Sequence, residues 1–143
     1  MMWSPSADAA DRVPVSLSAE DRSRQALGKW IDALAFAESG NRDWIVHRDR
    51  DGRNYYGCLQ FREETFRYFA TKFHLVQADE PEEFMSFIYD CALQKRLASR
   101  MIRDNPENWK HWRKTVERIG LPPGAKAPAD VVAAAKQPSR AAK

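Results

Sequence analysis

The stretch "ALAFAESG", Ala33 to Gly40, places a glutamate where an aliphatic residue would suit a buried helix face better. Counting back from Glu38 by four, three and four residues gives Leu34, Ile31 and Leu27, so the carboxylate shares one stripe with three aliphatic side chains. Apolar neighbours penalise the charged form, and the last turn of a helix presents its negative dipole end to a negative group. Both effects raise a carboxyl pKa, and the chain folding back beyond the helix end can wall the group off from water. A carboxylic acid that keeps its proton near neutrality is equipped to donate it to a leaving group. A plainer role also fits, in which Glu38 leans outward and Lys29 or Arg42 neutralises it.

A second stretch, "NYYGCLQF", runs from Asn54 to Phe61. Gly57 permits close backbone approach or unusual dihedrals. The Gln60 amide offers two donors and an acceptor, suited to gripping the N-acetyl or hydroxyl groups of a sugar. Tyr55 and Tyr56 supply flat faces on which a pyranose ring can rest. Taken alone, the stretch also reads as a hairpin strand entering a helix.

Together, "AESGN" and "YGCLQF" resemble the lysozyme-like superfamily, in particular the lytic transglycosylase branch and related small lysozyme-like domains. That family joins a Glu-Ser dipeptide at a helix end to a Gly-x-x-Gln segment after a β excursion. Glu38-Ser39 and Gly57-Cys58-Leu59-Gln60 match in type, order and approximate separation. The resemblance covers roughly residues 25–120 and implies a helical domain with a small β-hairpin lobe flanking a cleft. It implies Glu38 as the catalytic acid, with Ser39, Tyr56, Gly57 and Gln60 contacting substrate. Cleavage of the β-1,4 bond between N-acetylmuramic acid and N-acetylglucosamine is the implied activity, with a peptidoglycan glycan strand as partner. Where many transglycosylases carry a third motif rich in Ala, Tyr and Asn, this chain has "NWKHWRKTVERIGLPP", which leaves the far wall of the cleft unassigned. Trp109 and Trp112 can stack on sugar there, although their spacing fits core packing better. Cys58 stands where the family usually holds an aliphatic residue.

Glycoside cleavage normally employs two carboxylates. Candidates for the second are Asp49 and Asp51, with Asp43 nearby; Asp51 can equally serve its turn with Gly52, and Asp49 can pair with Arg48 or Arg50. In the transglycosylases that the chain resembles, one glutamate protonates the glycosidic oxygen and then takes a proton from the 6-hydroxyl of the same sugar. One well-placed acid suffices for that reaction, whereas a second working aspartate permits hydrolysis. No cofactor is expected. No metal site is expected either, because His47, His74 and His111 are scattered and neither cysteine has metal-type spacing with them.

The elements that must position these groups can be read from periodicity. Residues 1–17 are small and polar and are expected to lack fixed structure. Ser18 is a natural cap for a helix that Gly40 ends. Residues 41–61 break the helical pattern and predict a short irregular hairpin turning at Asp51-Gly52. A second helix is expected over Glu63–Phe73, another from Pro81 with a break near Asp90, and a last one opened by Asn105-Pro106 and closed by Gly120. Residues 124–143 are an Ala, Pro and Lys tail, expected to be disordered. The predicted architecture is a predominantly helical α+β domain over residues 18–123, with four or five helices around one hairpin.

Bulk properties set the remaining bounds. A chain of 143 residues with 43% apolar and 30% charged content suits one domain with a real core. The net charge of +3 favours polyanionic partners without choosing among them. The segments "QKRLASRMIR" and "WKHWRKTVER" allow a phosphate-binding face, but Asp104, Glu107 and Glu117 dilute the charge and no nucleic-acid motif accompanies it. A nucleic-acid-binding helical domain is therefore a rival reading, as is a non-catalytic wall-binding module on the same fold. Cys58 and Cys91 can form one bridge, and two buried free thiols fit at least as well. No run of the sequence reads as a membrane span, and the opening residues lack the basic and apolar regions of a secretory signal. A monomer is expected.

Overall fold

The computed structural model describes residues 16–126. The segments expected to be disordered lie mostly outside that range. Helix α1, Ala19–Ser39, opens where the Asp21 amide donates to Ser18 Oγ at 3.0 Å, with Glu20 and Asp21 in its first turn. It ends where Gly40 takes the left-handed conformation, φ 70°, and returns its N–H to the Phe36 carbonyl. Strands β1, Val46–Arg48, and β2, Asn54–Tyr56, pair antiparallel with His47 opposite Tyr55. Then come α2, Glu63–Lys72, and the short α3, Pro81–Ser86, which runs into a 3-10 turn over Phe87–Tyr89.

Asp90 interrupts the helical run because its backbone is extended and its carboxylate caps the next helix, accepting from the Leu93 amide. That helix, α4, spans Cys91–Asp104. Asn105 caps the following segment as its side chain accepts from the Glu107 amide, but Pro106–Trp112 winds as a 3-10 helix before α5, Arg113–Ile119. The described residues thus form a mostly helical α+β arrangement with one two-stranded sheet.

Helix α1 lies against both α4 and α5. It contributes Leu27, Trp30, Ile31, Leu34 and Ala35 to a core completed by Phe66, Leu97, Met101, Trp109, Trp112 and Val116. Both tryptophans of the last stripe are therefore core residues, and Trp112 Nε1 donates to the Leu59 carbonyl at 2.8 Å. Ala125 also packs against this core, so ordered packing continues past residue 123. Among the described residues no helix is long and apolar enough to cross a membrane.

The cysteines correct one expectation. Cys58 and Cys91 form a disulfide rather than two free thiols, tying the turn after β2 to the first residue of α4. Thirty-three residues separate them in sequence, a spacing that carries no pairing information; only the fold brings their Cα atoms to 5.5 Å.

Candidate functional site: a cleft at the end of the first helix

The last turn of α1 divides its two final residues between different environments. Ser39 is buried; its hydroxyl donates to the Cys58 carbonyl at 2.8 Å and accepts from the Arg42 amide. It is a strut that fixes the helix end to the Gly57–Gln60 turn, with no face open to a ligand. Glu38, one residue earlier, lines a cleft of about 530 Å³.

That cleft runs between the hairpin and the Pro106–Ile119 arm. His47, Asp49, Tyr55 and Gln60 form one wall, and Lys110, Trp112, Arg113, Thr115 and Arg118 the other. A smaller hollow of about 250 Å³ extends it past Tyr55 and Gln60 toward Arg62 and Thr65. The wall with no motif to mark it is thus the segment "KHWRKTVER", whose basic side chains line a cavity rather than a featureless solvated surface.

Within the cleft, burial raises the Glu38 pKa above its ordinary 4.5, outweighing a hydrogen bond from the Thr115 hydroxyl and the nearby positive charge of Arg118. Neither Lys29 nor Arg42 neutralises the group. The Arg42 guanidinium instead donates to the Ser39 carbonyl at 2.6 Å, and among the described residues no cation lies within 4 Å of the Glu38 carboxylate. Thr115 and Arg118 lack any local sequence signal, because their proximity to Glu38 arises from packing of α5 on α1 across some eighty residues.

The Gly57–Gln60 turn supports the floor beside Glu38, and Gln60 is the residue of the turn that lines the cleft. Gly57 adopts φ 74°, and a Cβ there would sit 2.3 Å from Gln94 Nε2. Glycine is required twice over, by conformation and by space. The fully buried Gln94 amide accepts from the Leu59 amide at 2.8 Å and donates to the carbonyls of Tyr56 and Ile88. Gln60 also has a positive φ, 53°, and its Nε2 donates to the Gly57 carbonyl at 2.9 Å, so its side chain is aimed by its own turn. Gly57 is buried in this floor, while Tyr56 packs edge-on against Tyr89 outside the cleft lining. Tyr55 takes the position in the cleft that the resemblance gives to Tyr56.

Of the two candidate second carboxylates, only Asp49 reaches the cleft. Its Oδ1 accepts from the amides of Asp51 and Arg53 and its Oδ2 from the Tyr55 hydroxyl at 3.2 Å. The Arg53 amide, the Tyr55 hydroxyl and the Asp51 amide hold its pKa below the usual 3.8 despite some desolvation. Asp51 is exposed at the hairpin tip, and Asp43 accepts from the Cys91 amide at the start of α4. His111 is held below its ordinary pKa by desolvation and by the charge of Arg62.

The arrangement brings an acid whose pKa is raised by burial, a carboxylate held by three donors, an amide and a row of cations onto one cleft. It can protonate a leaving-group oxygen and hold an anionic chain alongside. Comparison with family models, with curated proteins and with solved structures returns no match for this chain.

Proposed function

We propose that the chain is a lysozyme-like glycosidase that cleaves the β-1,4 bond between N-acetylmuramic acid and N-acetylglucosamine in peptidoglycan, with Glu38 as its general acid. The observation that carries this reading is the desolvated Glu38 carboxyl opening onto a cleft that Gln60 also lines. Burial favours the acid form, which gives its proton to the glycosidic oxygen as the C1–O bond breaks. Thr115 and Arg118 then favour the carboxylate that remains. That carboxylate removes the proton of the 6-hydroxyl of the same sugar, whose oxygen closes on C1. The product is a 1,6-anhydro sugar, and no water is consumed.

The transglycosylase outcome is favoured over hydrolysis by the state of Asp49. A nucleophile or base needs a free lone pair aimed at the sugar or at a water, and three donors occupy three of the roughly four lone-pair sites of Asp49 and hold it to its own hairpin. The cationic wall suits a glycan whose peptide stems carry carboxylates. The Cys58–Cys91 bridge suits an oxidising compartment such as the wall side of a membrane.

The test is digestion of purified peptidoglycan followed by mass spectrometry of the released muropeptides. Wild type is expected to release anhydro products, one water lighter than hydrolytic ones, and Glu38→Gln to release none. Equal release by both proteins removes Glu38 from the chemistry. Glycan binding without cleavage by either leaves a wall-binding module.

A further inference from the structure

The segment "QKRLASRMIR" is not used by the Glu38 cleft. Its basic residues lie on α4 and face a second hollow of about 510 Å³, which shares no lining residue with the cleft. Arg24 of α1 joins Lys95, Arg96, Arg100 and Arg103 of α4 around it, against one carboxylate among the described residues, that of Asp32. Asp32 is already bridged by Lys95 at 3.1 Å, and Arg24 pairs with Glu20. Among the described residues no carboxylate lies within 4 Å of Arg96, Arg100 or Arg103. Spaced four and three apart, these arginines form a row along one flank of α4 that rises by about 10 Å.

A second observation comes from α1. Gly28 lies in the middle of this 21-residue helix and lines the same hollow. Glycine disfavours a helix interior, yet a Cβ at this position would meet no atom within 4 Å. Packing of the protein on itself therefore does not require the glycine. The room it leaves opens toward the arginines.

We propose that the groove between α1 and α4 binds the phosphodiester backbone of a polyol-phosphate polymer. Guanidinium groups fork onto phosphate oxygens, and a row of them matches successive phosphates along a thin chain. Nucleic acid shares the phosphodiester but fits less well. Single strands are gripped through open aromatic faces, and the one ring that lines this groove among the described residues, Phe73, has Arg100 and Lys72 over it at 5.3 and 5.5 Å. Duplex readers insert a protruding helix or ribbon into a DNA groove, whereas these cations line a concavity. The choice of a polyol phosphate over other phosphodiesters rests on the glycan reading above; recognition of the phosphodiester does not.

The experiment is calorimetric titration of the full chain with a synthetic glycerol-phosphate oligomer, repeated with an oligothymidylate of equal charge and at several salt concentrations. Wild type and Glu38→Gln are expected to bind the glycerol-phosphate oligomer equally, more tightly than the oligothymidylate, and more weakly as salt rises. Arg96 and Arg103 make no ion pair or cation–π contact among the described residues, so Arg96→Gln/Arg103→Gln removes charge without loosening the fold. That double variant is expected to lose roughly tenfold or more in affinity. Gly28→Ala is expected to raise Tm while weakening binding, a combination that general destabilisation cannot produce. Unchanged affinity in the double variant, undiminished affinity in Gly28→Ala, or loss in Glu38→Gln would overturn the assignment. Tighter oligothymidylate binding would transfer the groove to nucleic acid. Retained binding by a protein that releases no muropeptide would uphold the groove and count against the glycosidase reading alone.

Discussion

Two turns flank Glu38, and they are built in opposite ways. The Gly57–Gln60 turn is buried and fastened from four directions: the Gln94 amide, the Ser39 hydroxyl, the Trp112 indole and the Cys58–Cys91 bridge. The hairpin tip from Asp49 to Arg53 is largely exposed and held only by bonds within the hairpin: two backbone hydrogen bonds and the Asp49 carboxylate, with Tyr55 behind it. The cleft thus has one side fixed by long-range contacts and one side held by contacts within the hairpin. Local stability generally divides in this way, with binding loops drawn from the weaker end.

The largest effect expected from breaking that contrast comes from reducing the disulfide. A bridge closing a loop of this length contributes about 4 kcal/mol on the chain-entropy account, so reductant should lower Tm strongly and far more than it changes the hairpin. A Tm unaffected by reductant would show that the other three fastenings suffice.

Next stands Gln94→Leu. It strands the buried Leu59 amide and the Ile88 carbonyl, at about 1–3 kcal/mol for each unsatisfied group, and leaves the Tyr56 carbonyl with only the Phe61 amide. A clear fall in the urea midpoint is expected, and a near-neutral change would mean the floor repacks around leucine.

Asp49→Ala addresses the weaker side. It should lower Tm less than Gln94→Leu does, while reducing glycan cleavage by a larger factor than Tm alone would suggest. A stability loss matching that of Gln94→Leu would erase the distinction between the two turns.

Thr115→Val sharpens the reading of Glu38 itself. Removing the hydroxyl takes away an interaction that favours the ionised form, so the Glu38 pKa should rise further. Activity that requires the protonated acid falls as pH rises through that pKa. The alkaline limb of the pH–rate profile should therefore move to higher pH in the variant, and movement to lower pH would contradict the assignment.

The smallest effect is thermodynamic. Because the folded pKa of Glu38 lies above 4.5, its contribution is fully present below that pH and is lost as pH rises through the folded value. Glu38→Gln avoids that loss. Its Tm relative to wild type should climb from pH 4.5 upward and then level off, which differential scanning calorimetry across pH can check; a flat difference would remove the buried-acid argument.

Much of this architecture is legible in local chemistry. Ser18 and Gly40 bound α1, and Asp90 and Asn105 mark the later breaks, because caps satisfy backbone groups within three or four residues of themselves. The stripe that sets Glu38 among Leu27, Ile31 and Leu34 follows from helical periodicity in the same way. Ser39 is the instructive contrast. Its neighbourhood in sequence is that of Glu38, but a rotation of about 100° per residue turns it into the core instead of the cleft. The winding of Pro106–Trp112 as a 3-10 helix and the shift of cleft duty from Tyr56 to Tyr55 also escape a periodicity argument, since both depend on what lies opposite.

By itself, the sequence determined the caps at Ser18, Gly40, Asp90 and Asn105, that Glu38 lies on an apolar stripe, and that one small hairpin interrupts an otherwise helical chain. All of these are interactions between residues close in the chain. Only the tertiary structure decided that Cys58 meets Cys91, that Gln94 fills the space Gly57 leaves, that Thr115 and Arg118 close on Glu38, and that five basic residues gather around Gly28. Apart from Arg24 beside Gly28, those contacts join positions dozens of residues apart, and their selection rests on packing of whole helices against α1, which no local pattern encodes.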